Sequence, residues 1–162
     1  MPLLKNGNII EDPYTRVTEG EELPGEGPIL VDLALWQAQR DALVARSSEV
    51  GVQLAAGESP AAIAPDLEHI ALVALEFPAF TDGRAYSYAR LLRERHRFEG
   101  ELRAVGDVLI EQLHFMDRVG FDSFDMKSDE AAEEWKTAQA DMSVWYQPTG
   151  DERPTATRLR RS

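Results

Sequence analysis

Apolar residues come along this chain in short blocks separated by polar, glycine- or proline-bearing turns. Residues 29–35 (ILVDLAL), 50–54 (VGVQL), 69–76 (HIALVALE), 101–105 (ELRAV) and 121–126 (FDSFDM) read as strands, and 143–146 (SVWY) as a sixth. The first three are nearly continuous in Val, Ile, Leu and Ala, as strands buried on both faces of a parallel sheet are. Between the blocks the apolar spacing changes to the three-to-four rhythm of helices. Trp36, Ala42 and Leu43 mark a helix over 36–48. Ala85, Tyr88, Leu91 and Leu92 mark one over 83–97, and Leu109, Leu113 and Met116 one over 107–119 capped by Asp107. Ser128 opens a last one, carrying Ala131, Ala132, Trp135 and Ala138. Residues 57–64 read as a loop and short helix with Pro60 in its first turn, and Pro78 stops the third strand.

This alternation predicts an α/β fold with a mainly parallel sheet of five to six strands and helices on its faces, doubly wound in three layers. The alternative is a partial (β/α) barrel, since five or six units fall short of the usual eight. Ahead of it, Asn6-Gly7 between apolar pairs predicts a small N-terminal β-hairpin. Residues 1–28 then form a hairpin and surface connector, 29–148 the α/β domain, and 149–162 a polar, disordered tail.

Composition narrows the function classes. With 162 residues, 43% of them hydrophobic, the chain is long enough for a real core. Its net charge of −12 argues against nucleic acid as main partner, because phosphate binding needs clustered cations. The same acidity serves solubility or a basic partner. With no cysteine, disulfides, thiolate nucleophiles and cysteine-held iron–sulfur clusters are excluded, which fits a cytoplasmic location. The start MPLLKNGNII lacks the apolar core of a signal peptide, and no apolar run is long enough to cross a bilayer.

The candidate chemistry lies in two strand-to-helix turns, where open α/β sheets bind ligands. Asp82, Gly83 and Arg84 form the first, and Arg103, Gly106 and Asp107 bracket the second. Gly83 allows close backbone approach or positive φ, helix N–H groups hold anions, and Arg84 adds a bidentate clamp. The same residues also suit an N-cap, a turn glycine and a surface arginine. Arg90, Arg93 and Arg97 fall near one helix face and read as a partner-binding patch, or as a solvated face balanced by Glu94, Glu99 and Glu101. Glu101 and Arg103 share one face of their strand and are either an ion pair or part of the cleft. His69, His96 and His114 lack metal-pair spacing, so no metal site is expected. No GxxxxGK[ST] or GxGxxG occurs, which leaves the cofactor unknown; a flavin in a doubly wound sheet stays open.

The stretch FPAFTDGRAYSYARLLRERHRFEGELRAVGDVLIEQLHFMDRVGFDSF resembles the bacterial domain-of-unknown-function family numbered 934. The shared pattern is FP-x-FTDGR, ARLLRER, GELRA-x-GDVL, then a Gln and an Arg before GFD-x-F. The resemblance extends over the hairpin, ILVDLALW and Tyr146-Gln147. It implies a companion of the sulfite reductase haemoprotein in sulfate assimilation and cysteine biosynthesis, a group often called oxidoreductases by that association. Two positions depart from the pattern. Val119 stands where members commonly have cysteine, and Ala79 where many have a basic residue. The first favours a role that needs no thiol.

Three functions follow as expectations. The chain is an accessory protein of assimilatory sulfite reduction that docks the haemoprotein or supports electron delivery to it. Alternatively it is a small enzyme binding an anionic metabolite or phosphate-bearing cofactor at the carboxyl edge of the sheet, or a non-catalytic interaction domain. A homodimer is compatible with each.

Overall fold

A computed structural model describes residues 3–6, 8–78, 83–108, 112–125, 133, 134 and 137. The hairpin forms as its sequence predicts. Strands β1 (Leu3–Lys5) and β2 (Asn8–Ile10) pair antiparallel, with Asn6 at φ +52 in the turn. Strand β3 (Thr15–Val17) arises inside the stretch expected to be a connector. Then come β4 (Ile29–Asp32), helices α1 (Leu33–Ala38) and α2 (Arg40–Val44), and β5 (Val50–Leu54). Two 3-10 turns (Pro60–Ala62 and Ala64–His69) lead into β6 (Leu72–Phe77). Helix α3 (Arg84–Arg90) runs on into a π turn over Leu91–Arg95. Strand β7 (Glu101–Gly106), helix α4 (Leu113–Val119) and strand β8 (Ser123–Asp125) complete the sheet.

The strand order is β2-β1-β8-β7-β6-β5-β4-β3. This corrects the expected sheet in two ways. It has eight strands rather than five to six, because the hairpin and β3 extend it. Strands β3 to β8 are parallel and lie in chain order, so the order never reverses and there is no switch point of the doubly wound kind. Right-handed crossovers that always step the same way put every helix on one face. The alternative expectation, a partial (β/α) barrel, is the one that fits: the sheet curls into a half-barrel.

The chain itself demands the curl. β2 and β3 end opposite sides of the strand order, yet only residues 11–14 join them. Eight strands laid flat would separate their edges by about 34 Å. The joining segment reaches about 18 Å at full extension. The edges therefore bend toward each other, and the Arg16 guanidinium of β3 reaches the Asp125 carboxylate of β8 at 3.0 Å.

Two apolar clusters follow from the curl. The larger fills the convex side between sheet and helices, with Val31, Val52, Leu75 and Phe77 against Trp36, Leu43, Ala89, Leu92 and Met116. The smaller lies inside the curve: Tyr14, Leu30, Leu72, Ala74 and Val105. Several helix boundaries differ from the sequence expectation. Asp32 ends β4 and caps α1 by accepting from the Leu35 N–H at 2.8 Å, so the helix begins three residues earlier than expected and breaks at Gln39. Gln112, not Asp107, occupies the N-cap of α4. Arg97 sits beyond the π turn at φ +53. The strand expected at 143–146 and the tail over 149–162 lie outside the described residues, as do Ser128 and most of the helix expected after it. Among the described residues no helix is long and apolar enough to cross a membrane.

Candidate functional site at the mouth of the half-barrel

Side chains alternate along each strand, so every second residue enters the concave side. In β7 these are Glu101, Arg103 and Val105; across the ladder Leu72, Ala74 and Glu76 of β6 lie beside them. Next in line are Gly51 and Gln53 of β5, and Ser123 and Asp125 of β8. The floor is thus ionic where a sheet interior is normally apolar.

Arg103 is at its centre and only 1% exposed. It donates to Asp12 at 2.9 Å, to Glu101 at 3.2 Å and to the Ser123 hydroxyl at 3.4 Å, and its guanidinium lies 5.4 Å from the Tyr14 ring centre. Glu101 also accepts from Lys5 of β1 at 2.7 Å and from Ser123. Burial raises the Glu101 carboxyl, but the Lys5 and Ser123 hydrogen bonds and the Arg103 charge outweigh it, so Glu101 titrates below its ordinary range. Tyr14 donates to Glu49 at 2.8 Å; burial first, then that bond and the Glu49 charge, push its hydroxyl well above the usual value. This network ties the crossing segment 11–14 onto the floor.

Above the floor, at the carboxyl ends of the parallel strands, a cavity of about 460 Å³ opens between the approaching edges. Leu3, Asp12, Arg16, Gln53, Glu76 and Asp125 line it, with Val105 and Gly106. Its size falls in the roughly 300–1,000 Å³ range of small-molecule sites, and its place is where (β/α) barrels carry theirs. Arg16 bridges it, donating to the Gln53 side-chain oxygen at 2.8 Å and to Asp125 at 3.0 Å. The Glu76 carboxylate lines the cavity and has no hydrogen-bond or ion-pair partner among the described residues.

The residues expected from the sequence divide between this site and other places. Arg103 and Glu101 share a face, as the strand parity requires, but lie deep in the floor rather than at the turn. Gly106 borders the mouth at φ +88; a Cβ there would stand 2.4 Å from the Phe77 carbonyl oxygen, so only glycine fits. Asp107 follows, its N–H donating to that same oxygen at 2.6 Å. Asp82 lies outside the described residues. Gly83 is at φ −89 with open space around it, so neither positive φ nor close approach is what glycine provides there. Arg84 begins α3 with its guanidinium against Gly57 in the loop after β5, outside the cavity.

The arginine helix also separates into parts. Arg93 is a structural tie: it donates to the carbonyls of Phe98 at 2.7 Å, Gly100 at 2.8 Å and Gly120 at 2.9 Å, and to Asp122 at 2.6 Å. Arg90 is exposed and pairs with Glu94 at 3.5 Å. Arg97 is exposed past the helix end.

Asp12, Arg16, Gln53, Glu76 and Asp125 were not among the residues the sequence singled out. For Gln53 and Glu76 the signal was present: each is the lone polar side chain in an apolar strand, one position from its end. Asp12 and Arg16 give no local signal, because their partners are far away in the chain. Among the described residues no group of three or more His, Asp or Glu side chains is placed to hold a metal ion.

Residues 51–156 match the family described as "Bacterial protein of unknown function (DUF934)". No curated protein and no solved structure matches the chain.

Proposed function

Since the chain belongs to this family of bacterial proteins of unknown function, which resembles companions of the sulfite reductase haemoprotein, we propose that it serves assimilatory sulfite reduction in the cytoplasm as a ligand-binding accessory protein. The mouth of the half-barrel is its binding site. The observation that carries this is the cavity at the strand carboxyl ends, walled by charged side chains held in fixed pairs and holding a carboxylate, Glu76, with no partner among the described residues. Buried or half-buried charge without a partner is costly, and a ligand removes that cost. A native mass spectrum of gently purified protein tests it: a bound small-molecule mass is expected, and bare protein from cells assimilating sulfate refutes the binding role.

A second reading, docking onto the haemoprotein, draws on the exposed Arg90, Arg95 and Arg97 at the end of α3 in a chain of net charge −12. Such a cationic tip, with Arg90 shared with Glu94, steers an acidic partner surface and weakens with salt. Charge reversal at Arg90 and Arg97 would then abolish co-purification with the haemoprotein. Normal growth on sulfite of a strain lacking this chain would count against both forms of the accessory role.

A further inference from the structure

We infer that the mouth takes a small organic cation, an ammonium- or guanidinium-bearing metabolite whose charge pairs with Glu76. The inference rests on the reading of the mouth as a binding site and adds the ligand class. The charges around the cavity decide it. Among the described residues three carboxylates line it, Asp12, Glu76 and Asp125, against one cation, Arg16. Arg16 is already committed to Gln53 and Asp125, and the Arg103 behind the wall to Asp12 and Glu101. An anion at Arg16 would compete with the partners that guanidinium already holds and would face the surrounding carboxylates. A cation meets Glu76 without breaking any of these pairs, and forms the charge-assisted hydrogen bond that no donor among the described residues supplies. The Gln53 side-chain oxygen is occupied by Arg16, which leaves its amide N–H groups to donate to an acceptor elsewhere on the same ligand. A zwitterion or an amino alcohol meets both needs. With no set of three carboxylate or imidazole groups placed for a metal among the described residues, the geometry favours an organic cation over a bare divalent ion.

This differs from the anionic ligand that the two strand-to-helix turns imply in the sequence. The first turn places Gly83 and Arg84 away from the cavity, and of the second only Gly106 borders it, whereas the charge at the mouth comes from Asp12, Arg16, Glu76 and Asp125.

The test is calorimetric titration of the full chain with agmatine, putrescine, L-arginine and ethanolamine, alongside succinate, sulfite and magnesium chloride, each at millimolar concentration. At least one organic cation is expected to bind, and Glu76→Gln to weaken it about tenfold or more, the loss expected for one charge-assisted bond. Glu94→Gln, on the exposed π turn, is expected to leave it unchanged. Binding of succinate or sulfite but no organic cation overturns the ligand class while the site stands. Tighter binding of magnesium than of any organic cation overturns it as well, and so does silence from every probe. Cation binding that ignores Glu76→Gln overturns both the ligand class and the mouth as its site. Glu76 is at the edge of the cavity and the substitution keeps its shape; a matching melting curve shows that the variant folds.

Discussion

Replacing Arg103 with methionine removes the charge at the centre of the concave floor while keeping most of the side chain's volume. The direct losses are the hydrogen bonds to Asp12 at 2.9 Å and Glu101 at 3.2 Å. Charge-assisted bonds contribute about 1.5–3 kcal/mol each, and the low end applies to both here. Asp12 is partly wet, and Glu101 keeps Lys5 and Ser123. The expected cost is therefore about 3 kcal/mol, the lower limit for breaking a buried pair and a large share of a stability of about 5–15 kcal/mol. Urea denaturation reads it as a midpoint shift of about 1–1.5 M at an ordinary slope of about 2–3 kcal/mol/M. The pH dependence gives an independent signature. The folded-state value of Glu101 is depressed below its ordinary value of 4.5, so its contribution is fully present above 4.5 and is lost as pH falls from there through the lower folded-state value. Arg103→Met weakens the depression and flattens this acid limb. A midpoint shift near zero with an unchanged acid limb would refute the view that Arg103 pins the crossing segment to the floor.

Gly106→Ala drives a Cβ into the Phe77 carbonyl at φ +88 and should cost about 2–4 kcal/mol in a thermal or chemical melt; under about 1 kcal/mol would contradict the close packing at the mouth. Arg93→Lys should lose about 2 kcal/mol, because a single ammonium cannot span the carbonyls of Phe98, Gly100 and Gly120 that the planar guanidinium joins. Burial pushes the Tyr86 hydroxyl up to about 12, and Tyr14 is raised further. Their contribution to stability is present below the unfolded value near 10 and lost as pH rises toward the folded values. An ultraviolet titration should show Tyr14 and Tyr86 ionising late, with loss of the fold; both ionising near pH 10 would contradict it.

The parallel series was legible in the sequence because its strands are short, mostly apolar runs set between helical spacing and turn residues. Residues 50–54 form the expected strand without adjustment, and Glu101 and Arg103 share the face that strand parity gives them. The winding was not legible. A β-α alternation is the same string whether the crossovers reverse or keep stepping one way, and only the pairing order distinguishes them. The third strand, TRV, was hidden in a stretch rich in Gly, Pro and Glu. Its strand identity comes from a tertiary partner, β4, and not from local propensity. The same cause hid half of the mouth. Asp12 meets Arg103 and Arg16 meets Asp125 only because the chain crosses the open side of the curl, which no local window contains. Gly83 misled in the opposite direction: a glycine after a strand suggests positive φ or close approach, and here it serves neither.

The central claim is that the mouth of the half-barrel binds a small molecule. It is tested most directly by amide and side-chain chemical-shift mapping of isotope-labelled protein against a small-molecule extract of the bacterial cells. Perturbations are expected to converge on Gln53, Glu76, Gly106 and Asp125 and to shrink in Glu76→Gln. No perturbation at those four, or one confined to the exposed surface of α3, would contradict it.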